Sequence, residues 1–304
     1  MKLEITLITS FILLFSNNIY SYNINNGCEN KLNNGLINEA ILEAKKIENQ
    51  YDSNFCLGKA LYRSSDYLNA ANAFATSEPL AELPVDQMFS ILYQGISLRD
   101  NGSYQDAIKV FTKGFETAKL GNSKYMQMEQ RFLNQSGQTY LILKDSQNAL
   151  DSFTKAARLS ANDDERASNF EGLAKSYAID NQYDSAIEFS VKASNTYQRI
   201  GDLGKYADME INKAKYYFKA GNTELSLKTL ESLESFAKKN GGTYYEAKAL
   251  IEQGSIYIQL GNTDLGSAKS KQGIALAKQD IWFLLSDIKS LTVIIGSLLS
   301  FSPP

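Results

Sequence analysis

The chain has 304 residues, 31 basic and 34 acidic side chains for a formal charge of −3, no histidine, two cysteines and four prolines. This inventory excludes histidine-based catalysis and zinc sites built on the usual histidine and cysteine sets, and the even charge balance gives no footprint for nucleic acid. With 43% hydrophobic and 11% aromatic residues the chain can bury a core, and so few prolines favour long helices over many short strands.

Met1-Lys2-Leu3-Glu4 opens the chain, an apolar run extends from Ile5 to Phe15, and Ser16-Asn17-Asn18 and Ile19-Tyr20-Ser21 follow. A positive start, a short apolar stretch and a small residue downstream predict a secretory signal over residues 1–21, cut after Ser21. The run falls short of the roughly 20 apolar residues that span a bilayer. A short buried N-terminal helix is the alternative. Residues 22–50 then form an N-terminal segment with a helix from Leu36 to Asn49. A cleaved signal implies a periplasmic or secreted protein in the bacterial envelope. In that oxidising setting Cys28 and Cys56, 28 positions apart, are expected to pair. The link would fasten the N-terminal helix to the one carrying Cys56 and stabilise by roughly 3 kcal/mol. Two unconnected buried thiols are the other possibility.

Residues 51–280 repeat themselves. Six segments begin with a small residue: Gly58, Gly95, Gly137, Ala174, Ala214 and Gly254, at intervals of 37, 42, 37, 40 and 40. Three positions on stand Leu61, Leu98, Tyr140, Tyr177, Tyr217 and Tyr257, and twelve on stand Ala70, Ala107, Ala149, Ala186, Ser226 and Gly266. Four beyond these come Phe74, Phe111 and Phe153, after which the pattern loosens to Ser190, Leu230 and Ser270. Turn formers separate the halves, among them Arg99-Asp100-Asn101-Gly102, Gly221-Asn222 and Gly261-Asn262. The spacing predicts helix pairs, the first small residue admitting a neighbouring helix and the second nesting against the first. One such hairpin cannot bury its apolar faces alone, so six of them must stack.

Residues 281–304 complete the chain, apolar from Ile281 to Phe301 except for Asp287, Lys289 and several serines. Both charges would lie inside any membrane span, so a closing helix is the better reading. Gly296 follows Gly254 by 42, which makes this stretch the first helix of a seventh unit. Its all-round apolar character predicts contact with another chain or with the envelope through 281–301.

The order small, aromatic, small, aromatic, together with Tyr67, Tyr104 and Tyr183 just before three second helices, resembles the tetratricopeptide repeat family. Asn101-Gly102-Ser103-Tyr104-Gln105-Asp106-Ala107-Ile108-Lys109-Val110-Phe111 is typical of it, although the intervals exceed the family's common unit of about 34 residues. The resemblance implies an all-α, right-handed superhelical solenoid of antiparallel helix pairs that binds a partner in its concave face without turnover. By the family's geometry that groove is lined by Lys59, Leu92, Arg131, Asn134, Gln138, Glu171, Lys175, Asp208, Lys215, Lys248 and Ser255. Its excess of cations over acids implies a protein or peptide partner that is acidic or presents a free C-terminus.

Motifs for chemistry are missing from the sequence. Gly201-Asp202-Leu203-Gly204-Lys205-Tyr206 has the wrong spacing for a phosphate loop and reads as a turn. Asn162-Asp163-Asp164-Glu165 reads as a solvated helix start, with a hard cation as the minor alternative. The expectation is therefore a non-enzymatic scaffold with no cofactor and no metal. Two other readings stand beside it: an extracytoplasmic sensory module, and a cytoplasmic peptide-binding regulator should the N-terminal segment be retained.

Overall fold

A computed structural model describes residues 27–278, so the expected signal and the apolar stretch 281–301 lie outside the described residues. All regular elements among the described residues are helical, and the architecture is an all-α helical-repeat solenoid. The chain divides between Ile179 and Asp180 into two compact units.

In unit 1, α1 (Gly27–Asn33) and α2 (Ile37–Ala44) precede α3 (Gln50–Arg63) and α4 (Tyr67–Ser77). A 3-10 turn, Glu78–Leu80, leads to α5 (Pro84–Asp100) and α6 (Tyr104–Lys119). A second, Asn122–Tyr125, leads to α7 (Met126–Ile142), α8 (Ser146–Leu159) and α9 (Asp163–Ile179). Each helix packs against the next along the chain.

The N-terminal segment differs from expectation. The helix predicted for Leu36 to Asn49 spans only Ile37–Ala44, and Asn49 serves the next helix instead, as the N-cap of α3, its side chain accepting from the Asp52 N–H at 3.0 Å. Residues Gly27–Asn33, with no helical assignment in the sequence reading, form α1 instead. Cys28 of α1 and Cys56 of α3 are disulfide-bonded with Cα atoms 6.5 Å apart, inside an apolar cluster with Leu32, Ala40, Ala44 and Ala60.

The hairpin turns share one solution. Ser65, Gly102 and Lys144 all adopt positive φ, at 64°, 84° and 57°. The next residue's N–H in each case reaches back to a carbonyl of the preceding helix: Asp66 to Leu61, Ser103 to Leu98 and Asp145 to Tyr140, at 2.8–2.9 Å. This bond satisfies a carbonyl that the end of a helix leaves open. Only the second of the three turns uses the glycine that makes the conformation free of side-chain strain.

Phenylalanine rings fill the spaces between the helices. A Cβ placed on Gly58 would come 2.8 Å from the ring of Phe74, on Gly95 2.3 Å from Phe111, and on Gly137 2.8 Å from Phe153. Gly114 of α6 meets Phe132 of α7 in the same way, and Gly172 of α9 touches the far side of Phe153. All four rings are fully buried. The small first residue thus makes a notch, and the ring sixteen residues later fills it.

Unit 2 holds α10 (Tyr183–Ile200), α11 (Leu203–Lys219), α12 (Thr223–Asn240), α13 (Thr243–Gln259) and α14 over 263–278. Gly221 and Gly261 take the positive-φ position in its turns, at 83° and 84°. Here the ring is gone. Fully buried Leu230 stands in its place on α12, and Ser226, four residues earlier, donates to the Ala214 carbonyl at 2.7 Å. On α13 and α14 the backbones touch: a Cβ on Gly254 would lie 2.6 Å from the Gly266 carbonyl oxygen, and one on Gly273 2.6 Å from that of Ala247.

Candidate functional site

The first helices of the hairpins in unit 1 are α3, α5, α7 and α9, and a chain of polar contacts runs across all four. Tyr62 at the end of α3 donates its hydroxyl to Asp100 of α5. The Arg99 Nε also donates to Asp100, at 2.8 Å, while its Nη1 reaches Gln135 and, at 3.3 Å, Gln138 on α7. Gln138 Nε2 donates to Asn134 Oδ1 at 2.7 Å, and Asn134 Nδ2 to Asn169 Oδ1 of α9 at 2.7 Å. Asn169 ends the run by donating to the Ser160 hydroxyl at 3.0 Å.

The ladder is dry at its α9 end, where Asn169 is fully buried and Asn134 is 7% exposed, and it opens to solvent toward Asp100. Buried amides stay in place only when their partners are supplied, so each rung fixes the next. Burial and the Asp100 carboxylate together raise the Tyr62 hydroxyl pKa well above its ordinary value, keeping it a donor. Burial likewise pushes Tyr93, on α5, up to about 12.

The structure sorts the groove residues expected from the sequence. Asn134 and Gln138 are rungs of the ladder. Leu92 does not line a groove, being 6% exposed within a core cluster with Met88, Ile91 and Phe111. Lys59 is held by Glu29 of α1 at 2.6 Å, and Lys175 by Glu171, one turn before it on α9, at 2.5 Å. In unit 2, Lys215 pairs with Glu252 at 2.7 Å, and Lys248 with Asp208 at 2.6 Å while lying over the rings of Tyr244 and Tyr245. The cationic excess read from the sequence is therefore mostly compensated. Arg131 is the exception, lying over the Phe89 ring at 5.9 Å with no carboxylate in ion-pair range among the described residues.

Arg131, Gln135 and Gln138 stand at i, i+4 and i+7 on α7, which puts them on one face. All three are half-buried. Sequence reasoning missed Arg99, Gln135 and Asn169; the available signal was the i, i+1, i+4 spacing of Asn134, Gln135 and Gln138 on α7 and a lone Asn as the seventh residue of α9. The repeated tyrosines 140, 177, 217 and 257 are half-buried. Among the described residues no group of three His, Cys, Asp or Glu side chains is placed to hold a metal ion, and no helix is long and apolar enough to cross a membrane.

Residues 130–163 match the tetratricopeptide repeat family model. No curated protein matches the chain in sequence. Among solved structures, the chain is similar to a signal transduction ATPase with numerous domains from Pyrococcus horikoshii, which carries a tetratricopeptide repeat sensor. The likeness has a TM-score of 0.66 at 15% identity and covers 88% of this chain and 43% of that one, so this chain spans less than half of that neighbour. It is also similar to apo RapI, with a TM-score of 0.60 at 14% identity over 83% of this chain and 95% of that one. Aspartyl phosphate phosphatase F of Bacillus subtilis gives a TM-score of 0.60 at 14% identity over 79% of this chain and 75% of that one. The helix pairs, the matched repeat and these neighbours together make the fold that of a tetratricopeptide-like helical-repeat protein.

Proposed function

We propose that the chain is a non-enzymatic scaffold that binds a protein or peptide along the first-helix face of unit 1, in the periplasm or outside the cell after loss of residues 1–21. The observation that carries this reading is the α7 row. Arg131 has no carboxylate partner among the described residues, whereas the other cations of the expected groove are paired. Beside it, Gln135 and Gln138 are oriented by Arg99 and Asn134. A guanidinium next to oriented amides suits an acidic side chain or a C-terminal carboxylate followed by peptide backbone. The preset ladder also lowers the ordering cost of binding. The Cys28–Cys56 disulfide supports an oxidising compartment. A second reading, a sensory module, draws on the sensor role that the Pyrococcus neighbour's description gives its repeats.

A peptide array tests the proposal, using each sequence with a free and with an amidated C-terminus. Binders are expected to weaken at least tenfold on amidation or with Arg131→Ala, and to be unaffected by Lys215→Ala. Binding that ignores both the carboxylate and Arg131 would overturn the assignment of this face. N-terminal sequencing of the protein recovered from its own cells checks the location: a chain beginning at Tyr22 supports export, and one that keeps Met1 argues for the cytoplasmic alternative.

A further inference from the structure

Beside the polar row of α7 stands a largely apolar one on α5. Phe89, Tyr93 and Ile96 fall at i, i+4 and i+7 of α5, the spacing of one helical face, and all three are half-buried. The repeat step of 42 from Gly95 to Gly137 sets them level with Arg131, Gln135 and Gln138 of α7. Contacts bear out that register. Arg131 lies over the Phe89 ring and acts electrostatically on the Tyr93 hydroxyl. Farther along both helices, Arg99 of α5 reaches Gln135 and Gln138, so α5 and α7 run in the same direction. Two matched rails result, each about 10 Å long at the helical rise of about 1.5 Å per residue.

The donors along these rails are unspent. Arg99 occupies Gln135 Oε1, which leaves the Gln135 Nε2 hydrogens without an acceptor among the described residues. The Tyr93 ring is fixed, stacked on Phe74 at 5.3 Å and edge-on to Phe55 at 5.7 Å, while its hydroxyl has no hydrogen-bond partner among the described residues. A helical partner would bring these donors little beyond its side chains, because its own N–H and C=O groups are bound to each other. An extended segment carries an open carbonyl at every residue, and its side chains alternate between two sides, one for each rail.

We propose that the partner segment lies extended between α5 and α7, with apolar side chains on Phe89 and Ile96, an acidic group on Arg131, and carbonyls accepting from Gln135 and Tyr93. This rests on the assignment of the α7 row to carboxylate binding and narrows the partner to sequences in which apolar and acidic residues alternate. About three extended residues, at about 3.3 Å each, cover the length of a rail.

Two fluorescent peptides of leucine and glutamate test this on the full chain by anisotropy, equal in length and composition and each with a free C-terminus. One alternates the two residues, and the other spaces leucine at helical intervals. The alternating peptide is expected to bind at least tenfold tighter. Equal affinity, binding of neither, or preference for the helical pattern would overturn the proposal. Tyr93→Phe keeps the ring and its stacking, and is expected to weaken the alternating peptide at least threefold while the helical fold, read by circular dichroism, is unchanged. Unaltered affinity in that variant would contradict the carbonyl contact and with it the extended form. Arg131→Ala separates the two possible failures. Peptides that bind alike and both weaken with it would overturn the extended form alone, whereas binding indifferent to it would overturn the carboxylate assignment as well.

Discussion

The two units solve one packing problem differently. In unit 1 a glycine on the first helix receives a phenylalanine ring from the second: Gly58 with Phe74, Gly95 with Phe111, Gly137 with Phe153. In unit 2 the ring disappears, and on α13 and α14 two backbones meet at Gly254 and Gly266. A ring filling a notch separates the helices by the thickness of a side chain, whereas facing glycines let each carbonyl oxygen approach the other's Cα, where a side chain would otherwise stand. The first interface can adapt by moving a ring. The second can adapt only by moving a helix. Small first residues therefore mark close approach in both units, while the residue sixteen positions later decides what fills the gap.

This contrast predicts where a single methyl group is costly. Gly254→Ala would place its Cβ 2.6 Å from the Gly266 carbonyl oxygen and 2.2 Å from Ser270 Oγ. The helix-propensity gain of alanine, about 1 kcal/mol, does not offset overpacking against backbone, so a net loss of about 2–3 kcal/mol is expected in denaturant unfolding. A truncation of Ser270 should not restore it, since the backbone contact remains. A smaller effect of opposite sign belongs to the turns. Lys144 holds φ at 57°, as Ser65 and Asn181 hold 64° and 57°, where three other hairpins place Gly102, Gly221 and Gly261. Lys144→Gly removes a left-handed strain and should stabilise unit 1 by up to about 1 kcal/mol, read as a raised midpoint at unchanged m-value. A loss there would mean that the turns of the two kinds are not equivalent.

The fold was legible because helical pairing writes a periodic signal: small residues, rings and turn formers recur at fixed offsets within each unit. The site was only partly legible. Asn134 and Gln138 were found by their place on α7, but their partners Arg99 and Asn169 come from other helices, and Arg99-Asp100 reads in sequence as the edge of a turn. The charge compensation was hidden for the same reason. Glu29 meets Lys59 and Glu252 meets Lys215 across helices, separations that no local spacing reveals, whereas Glu171 and Lys175 stand one turn apart and could have been paired by inspection. Leu92 was misplaced by a positional rule that does not know where a core cluster lies. The short α1 escaped because its seven residues contain only two that are buried, Cys28 and Leu32.

The seating of a ring against a glycine is the claim on which the description of unit 1 depends, and a double-mutant cycle tests it most directly. Gly95→Ala places a Cβ 2.3 Å from the Phe111 ring, and Phe111→Leu removes part of that ring. Each change alone should destabilise by about 1–3 kcal/mol, and the double variant should be more stable than their sum by at least about 1 kcal/mol, since the shortened side chain makes room for the added methyl group. Strict additivity of the two changes would show that Gly95 and Phe111 do not share a contact, and would contradict the account.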